Sequence, residues 1–88
     1  MRMNKMTKHE YKTNGTCSRK IIFELDDENK VHNVVFEGGC HGNLQGIGKL
    51  VEGMDAAEVI KRVEGIKCGF KQTSCPDQLS KALTAAVK

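Results

Sequence analysis

Four cysteines carry most of the chemistry open to this chain, and each stands in a turn-like setting: Gly15-Thr16-Cys17-Ser18, Gly39-Cys40-His41-Gly42, Lys67-Cys68-Gly69 and Ser74-Cys75-Pro76. Cys75 has the most telling neighbours. Ser74 can cap a helix, Pro76 is tolerated in a first helical turn, and Asp77 answers the helix dipole from the same turn. A thiol held there is favoured as thiolate, the form that ligates metals and attacks disulfides. Packing is the competing reading, because Cys75 also begins the apolar series Leu79, Ala82, Leu83 and Ala86 at helical spacing. None of the four cysteines lies inside an apolar run, where a structural thiol acts as a small hydrophobe. Glycine beside a cysteine lets the backbone fold around sulfur and aim N–H groups at it.

The intervals are 23 positions from Cys17 to Cys40, 28 from Cys40 to Cys68 and 7 from Cys68 to Cys75, with no Cys-x-x-Cys knuckle. Spacing alone is therefore a weak zinc signal. His41 is a further candidate, as a ligand or as a proton-transferring neighbour of Cys40, although a polar residue in a glycine turn explains it better. Asp77 could orient a ligand from outside the coordination sphere, and helix capping accounts for it equally well. The glycines from Gly38 to Gly48 lie between a strand and a helix, where anions bind well. Yet Gly48-Lys49 is followed by Leu50, and no G-x-G-x-x-G occurs, so nucleotide binding is a minor hypothesis.

The elements that must position these residues follow from periodicity. Ile21, Phe23 and Leu25 alternate with Lys20, Glu24 and Asp26, which predicts a half-buried strand over Arg19 to Asp26. The polar run Asp26 to Lys30 turns the chain into a second strand, Val31 to Glu37, whose His32, Val34 and Phe36 are expected on one face. The two form an antiparallel hairpin, and Tyr11 to Thr13 is a candidate third strand. Leu44, Ile47, Val51 and Met54 then recur at helical spacing. Asp55 with Glu58 resembles a capping box for a helix over Ala56 to Val63, with Gly65 as its terminator. A last helix is expected from Pro76 to about Val87. Strands followed by helices predict an α+β fold, with about three helices on one face of a small antiparallel sheet. In that arrangement the hairpin brings Cys17 and Cys40 to the same end of the sheet. If the last helix starts there, Cys75 joins them and Cys68 is one connector away. Four such thiolates suit tetrahedral zinc or an iron–sulfur cluster.

At 88 residues with three Phe, one Tyr and no Trp, the chain is expected to be one domain, residues 12–88, preceded by a mobile arm over residues 1–11. So small a core gains from a staple such as a bound metal. The first residues hold no apolar run of a signal peptide, and no segment has transmembrane length, so a cytosolic protein without membrane contact is expected. In that compartment cysteines serve metals or redox chemistry more often than structural bridges. A formal net charge of +3, concentrated near the ends and not interleaved with aromatics, does not favour nucleic acid as a partner.

The string Thr73-Ser74-Cys75-Pro76-Asp77, together with Gly15-Thr16-Cys17-Ser18, Phe36-Glu37-Gly38-Gly39-Cys40-His41-Gly42-Asn43 and Cys68-Gly69, resembles the TSCPD domain family over about residues 13–88. That family's domain also closes adenosylcobalamin-dependent ribonucleotide reductases, and stand-alone members are often labelled ribonucleoside-diphosphate reductase by similarity. The resemblance implies a link to deoxyribonucleotide synthesis. It does not supply an enzyme, since a chain of this length leaves no room for a radical cofactor, a nucleotide site and a reductase barrel. A more distant resemblance is to iron–sulfur scaffolds of the NifU and IscU type, in the positions of Cys17, Cys40 and Cys75. Those scaffolds carry an aspartate after the first cysteine and a histidine before the last, where this chain has Ser18-Arg19 and Ser74. Cys68 is an addition. A fourth thiolate would close the site and retain the metal.

Three functions are thus expected to compete. The leading one is a metal-binding accessory module, with Cys17, Cys40, Cys68 and Cys75 holding zinc or an iron–sulfur centre, His41 and Asp77 beside them, and a ribonucleotide reductase or another protein as partner. The second is a thiol–disulfide redox protein using Cys68 and Cys75 to serve a reductase. The third is a structural oligomerisation domain in which the cysteines play no part.

Overall fold

The computed structural model describes residues 6–16, 18–39 and 41–87, with the backbone alone for His41. Cys17 and Cys40 therefore lie outside the described residues. Among the described residues three strands, β1 (Thr7–Lys12), β2 (Ser18–Leu25) and β3 (Val31–Gly38), precede three helices, α1 (His41–Val51), α2 (Ala56–Val63) and α3 (Cys75–Ala86). The sheet is antiparallel in the order β1-β2-β3. This is the expected α+β architecture.

Alternation in β2 places Ile21, Phe23 and Leu25 in the core, where Leu79 and Leu83 of α3 and Val59 of α2 meet them. Helix α1 covers β3, while α3 lies against β1 and β2 and packs on α2. The hairpin turn is built by Asp26, whose Oδ1 accepts from the amides of Glu28 and Lys30, both at 2.9 Å. Asn29 takes the left-handed conformation, φ 60°, that such a turn requires. The start of β3 does not end in an open edge. Val31 exchanges backbone bonds with Met54 and Gly53, and the Ala56 amide donates to Asn29, so the α1–α2 connection caps that edge.

Three expectations are revised. Residues Thr7 to Tyr11, expected in a mobile arm, form β1 with Lys12, with Thr7 opposite Leu25 and Lys12 opposite Lys20. Their polar sequence hides the strand because β1 is an edge whose residues are mostly exposed, so no apolar alternation is needed. His32 does not share a face with Val34 and Phe36. Glu24 is opposite His32 but Ile22 is opposite Val35, so β3 holds one extra residue in a bulge, with Asn33 at φ 55°. The bulge shifts parity, sending Val31 and Phe36 into the core and His32 to the outside. Asp55, finally, stands at the N-cap of α2 without a side-chain capping bond.

A second irregularity lies at the other end of the hairpin. Lys20 is opposite Glu37 and Ser18 is opposite Gly38, so Arg19 is the extra residue, here in β2. Strict alternation would have turned Arg19 inward. Instead Arg19 is exposed and Ser18 is buried.

Candidate functional site

Helix α3 begins as its sequence dictates. Ser74 is the N-cap, its Oγ accepting from the Asp77 amide at 3.1 Å, and Pro76 fills an early helical position where no amide is needed. The Ser74 hydroxyl in turn donates to the Ile66 carbonyl at 2.7 Å, fixing the loop from α2. Cys75, the next residue, is 7% exposed. Its Sγ lies 3.2 Å from the Ser18 Oγ, the hydroxyl that the Arg19 bulge turns inward. Ser18 Oγ also contacts Thr16 Oγ1 at 3.1 Å.

Asp77 is buried and both its oxygens are engaged. Oδ1 accepts from the Gly65 amide at 2.7 Å and Oδ2 from the Thr73 hydroxyl at 2.5 Å, with Lys81 Nζ 3.5 Å away. The Thr73 bond, then the Gly65 amide, and more weakly Lys81, hold its carboxyl below the ordinary aspartate value. The expected ligand-orienting Asp77 is thus seen binding the α2–α3 connection to the helix it starts. Gln78 extends the network. Its Nε2 donates to Thr73 Oγ1 and its Oε1 accepts from the Asn14 amide, each at 3.0 Å, joining the β1–β2 loop to α3. Gly15 in that loop lies so close to Thr73 that an added Cβ would stand 3.1 Å from the threonine methyl, and its φ is 77°. Buried here are the Asp77 carboxylate, the Gln78 amide and the hydroxyls of Thr13, Ser18, Thr73, Ser74 and Ser80, and every buried side-chain polar atom among the described residues has a partner.

The four cysteines are placed unequally. Cys75 is buried at the helix start, whereas Cys68 is exposed on the preceding loop. The Cys68 amide donates to the Thr73 carbonyl at 3.1 Å, closing that loop two residues before Cys75. Cys17 and Cys40 fall outside the described residues, as does the His41 side chain. Ser18, the residue after Cys17, touches Cys75 and pairs across the sheet with Gly38, which lies two residues before Cys40. Among the described residues no group of three or more His, Cys, Asp or Glu could hold a metal. What the described part supplies is one buried sulfur in a hydroxyl-lined corner at a helix N-terminus, a setting compatible with a thiolate ligand.

Periodicity and spacing pointed to Cys75 and its cap but missed Ser18, Gln78 and the clamping role of Thr73. Thr73 lies within the five-residue string itself, and that string decides the family. The TSCPD domain family model matches residues 2–87. The chain belongs to the TSCPD domain family. No curated protein and no solved structure matches it. The TSCPD string can now be read atom by atom: threonine donates to the aspartate, serine caps, cysteine is presented to Ser18, proline fits the first turn, and aspartate ties down the incoming loop.

Proposed function

We propose that this TSCPD domain is a small cysteine-ligated metal module, holding zinc or an iron–sulfur centre through Cys17, Cys40, Cys68 and Cys75, and serving a ribonucleotide reductase as an accessory. The observation that carries the reading is the contact of Cys75 with Ser18, which itself faces Gly38. The chain neighbour of Cys17 thus meets the start of α3, and its partner across the sheet lies two residues before Cys40. The order of cysteines, one before a hairpin, one after it and one opening the last helix, is also that of the NifU and IscU type scaffolds. A bound metal would supply a cross-link between sheet and last helix, which suits a chain with so few aromatic residues.

Anaerobically purified protein tests this by metal analysis, absorption spectrum and thiol titration. About one metal or cluster per chain is expected, with protected thiols that become reactive after chelation. Metal-free, fully folded protein in which all four thiols react freely would overturn it. A reversible two-electron couple lost in Cys75→Ser would instead assign the thiol–disulfide function to Cys68 and Cys75.

A further inference from the structure

Strand β1 is an outer strand of the sheet, and no described element pairs with its free side. The Thr13 amide donates to the Arg19 carbonyl at 3.1 Å just beyond the β1–β2 ladder, which fixes the phase of that ladder. Thr7, His9 and Tyr11 turn their main-chain groups toward β2, so Lys8, Glu10 and Lys12 turn theirs outward. Among the described residues those outward amides and carbonyls make no hydrogen bond within the chain. Such a row is a template for another strand. The helix side leaves room for one, since α3 presents Ala82, Ala85 and Ala86 beside His9, Glu10 and Tyr11.

Charge and register select the strand. The side chains of Lys8, Glu10 and Lys12 are exposed, and Glu10 also lies 3.5 Å from Lys20 of β2. Lysines on an edge repel most strands, but Glu10 between them admits one that carries the reverse pattern. β1 itself does so when a two-fold axis lays a second copy antiparallel to it. Opposed residues must share a face of the sheet, and the hydrogen-bonded ones must come from Lys8, Glu10 and Lys12, so the axis passes through a residue. An axis at Lys8, Glu10 or Lys12 sets that residue against its own charge. An axis at Tyr11 matches Glu10 with Lys12 but overlaps only Glu10 to Lys12. An axis at His9 overlaps Thr7 to Tyr11 and sets Lys8 opposite Glu10 on both sides of the axis.

We propose that β1 pairs with β1 of a second copy of this chain about a two-fold axis at His9, joining the two sheets into one, with Lys8 of each chain opposite Glu10 of the other. No cysteine lies in the paired segment, so the proposal goes beyond the metal module and does not depend on it.

Sedimentation equilibrium of the full chain at low salt provides the test, with a thiol reductant present so that the exposed Cys68 cannot link copies. A reversible dimer is expected to form between about 10 µM and 1 mM, since a single strand edge is a small interface. Lys8→Glu and Glu10→Lys should each weaken it at least about tenfold, and mixing the two variants should restore it, because each then offers the charge the other lacks. Lys12→Glu, outside the overlapped segment, should change it by less than about twofold. Far-UV circular dichroism should stay unchanged in all three variants, since these side chains are exposed. A monomer at every concentration, a dimer indifferent to Lys8→Glu, or variants that stay monomeric when mixed would overturn the proposal. So would a dimer abolished by Lys12→Glu, which would move the axis to Tyr11.

Discussion

Asp77 shows how one side chain can hold a helix start and a loop together. Its carboxylate satisfies the Gly65 amide and the Thr73 hydroxyl in a place that water scarcely reaches. Removing it leaves both donors unpaired, and a buried unpaired donor costs about 1–3 kcal/mol. Asp77→Ala should therefore lower unfolding stability in urea by on the order of 3 kcal/mol. Ser74→Ala, which loses a cap and the bond to Ile66, should cost about 1–2 kcal/mol in the same assay. Loss of less than half a kcal/mol in Asp77→Ala would remove the clamp from this account. Residue types and helix rules made Ser74, Cys75, Pro76 and Asp77 legible in the sequence. They could not disclose how Thr73 and Gln78 join the network or that Ser18 and Asn14 complete it, because Ser18 is brought in by a bulge and Asn14 by a loop 64 positions from Gln78.

Elements formed where their own sequence rules sufficed. Helix α2 spans Ala56–Val63 as the positions of Asp55, Glu58 and Gly65 led one to expect, although Asp55 makes no side-chain capping bond, and β2 and α3 lie within a residue of expectation. The misreadings concern geometry that only a neighbour imposes. Alternation assumes an unbroken pleat, so the bulges at Asn33 and Arg19 escaped it, and an exposed edge such as β1 has no apolar signature to read. Helix α1 is the informative case, since its glycines are not equivalent. At Gly48 an added Cβ would stand 2.8 Å from the Val34 carbonyl oxygen of β3, while at Gly46 nothing lies within 4 Å. Gly48→Ala should destabilise by about 1–3 kcal/mol through overpacking. Gly46→Ala should stabilise by about 0.5–1 kcal/mol by cutting the freedom of the unfolded chain. Urea midpoints of the two variants should move in opposite directions. Equal shifts would show that α1 can back away from β3.

At the scale of the molecule, one polar cluster ties three segments across the outer face. His32 Nε2 meets Asp26 Oδ2 at 2.9 Å and its Nδ1 meets Glu52 Oε2 at 2.7 Å, joining the hairpin turn, β3 and the end of α1. Bonds to Asp26 first, then to Glu52, raise the histidine above its ordinary 6.5. Asp26 is lowered to about 2, chiefly by His32, and Glu52 is lowered by the Asn33 amide and by His32. The histidine's contribution is complete below pH 6.5 and is lost as pH climbs through its raised value. Those of Asp26 and Glu52 are complete above their unfolded values of 3.8 and 4.5 and are lost as pH falls through the lowered ones. Stability should therefore peak between about pH 4.5 and 6.5 and decline as pH rises through the raised value of His32. In His32→Gln the alkaline decline should flatten, as thermal melts across that range would record. A wild-type profile that rises above pH 7 would contradict the cluster's role. Among the described residues no helix is long and apolar enough to cross a membrane.

The bond from Asn14 to Gln78, with Ser18 against Cys75, also fixes an order of assembly. A ribosome releases the hairpin long before α3, so Ile21, Phe23 and Leu25 wait uncovered until the segment carrying Leu79 and Leu83 emerges. Contacts of such long sequence separation slow folding. Cys75 is then the last of the four cysteines to be made, and its arrival coincides with closure of the core over the sheet.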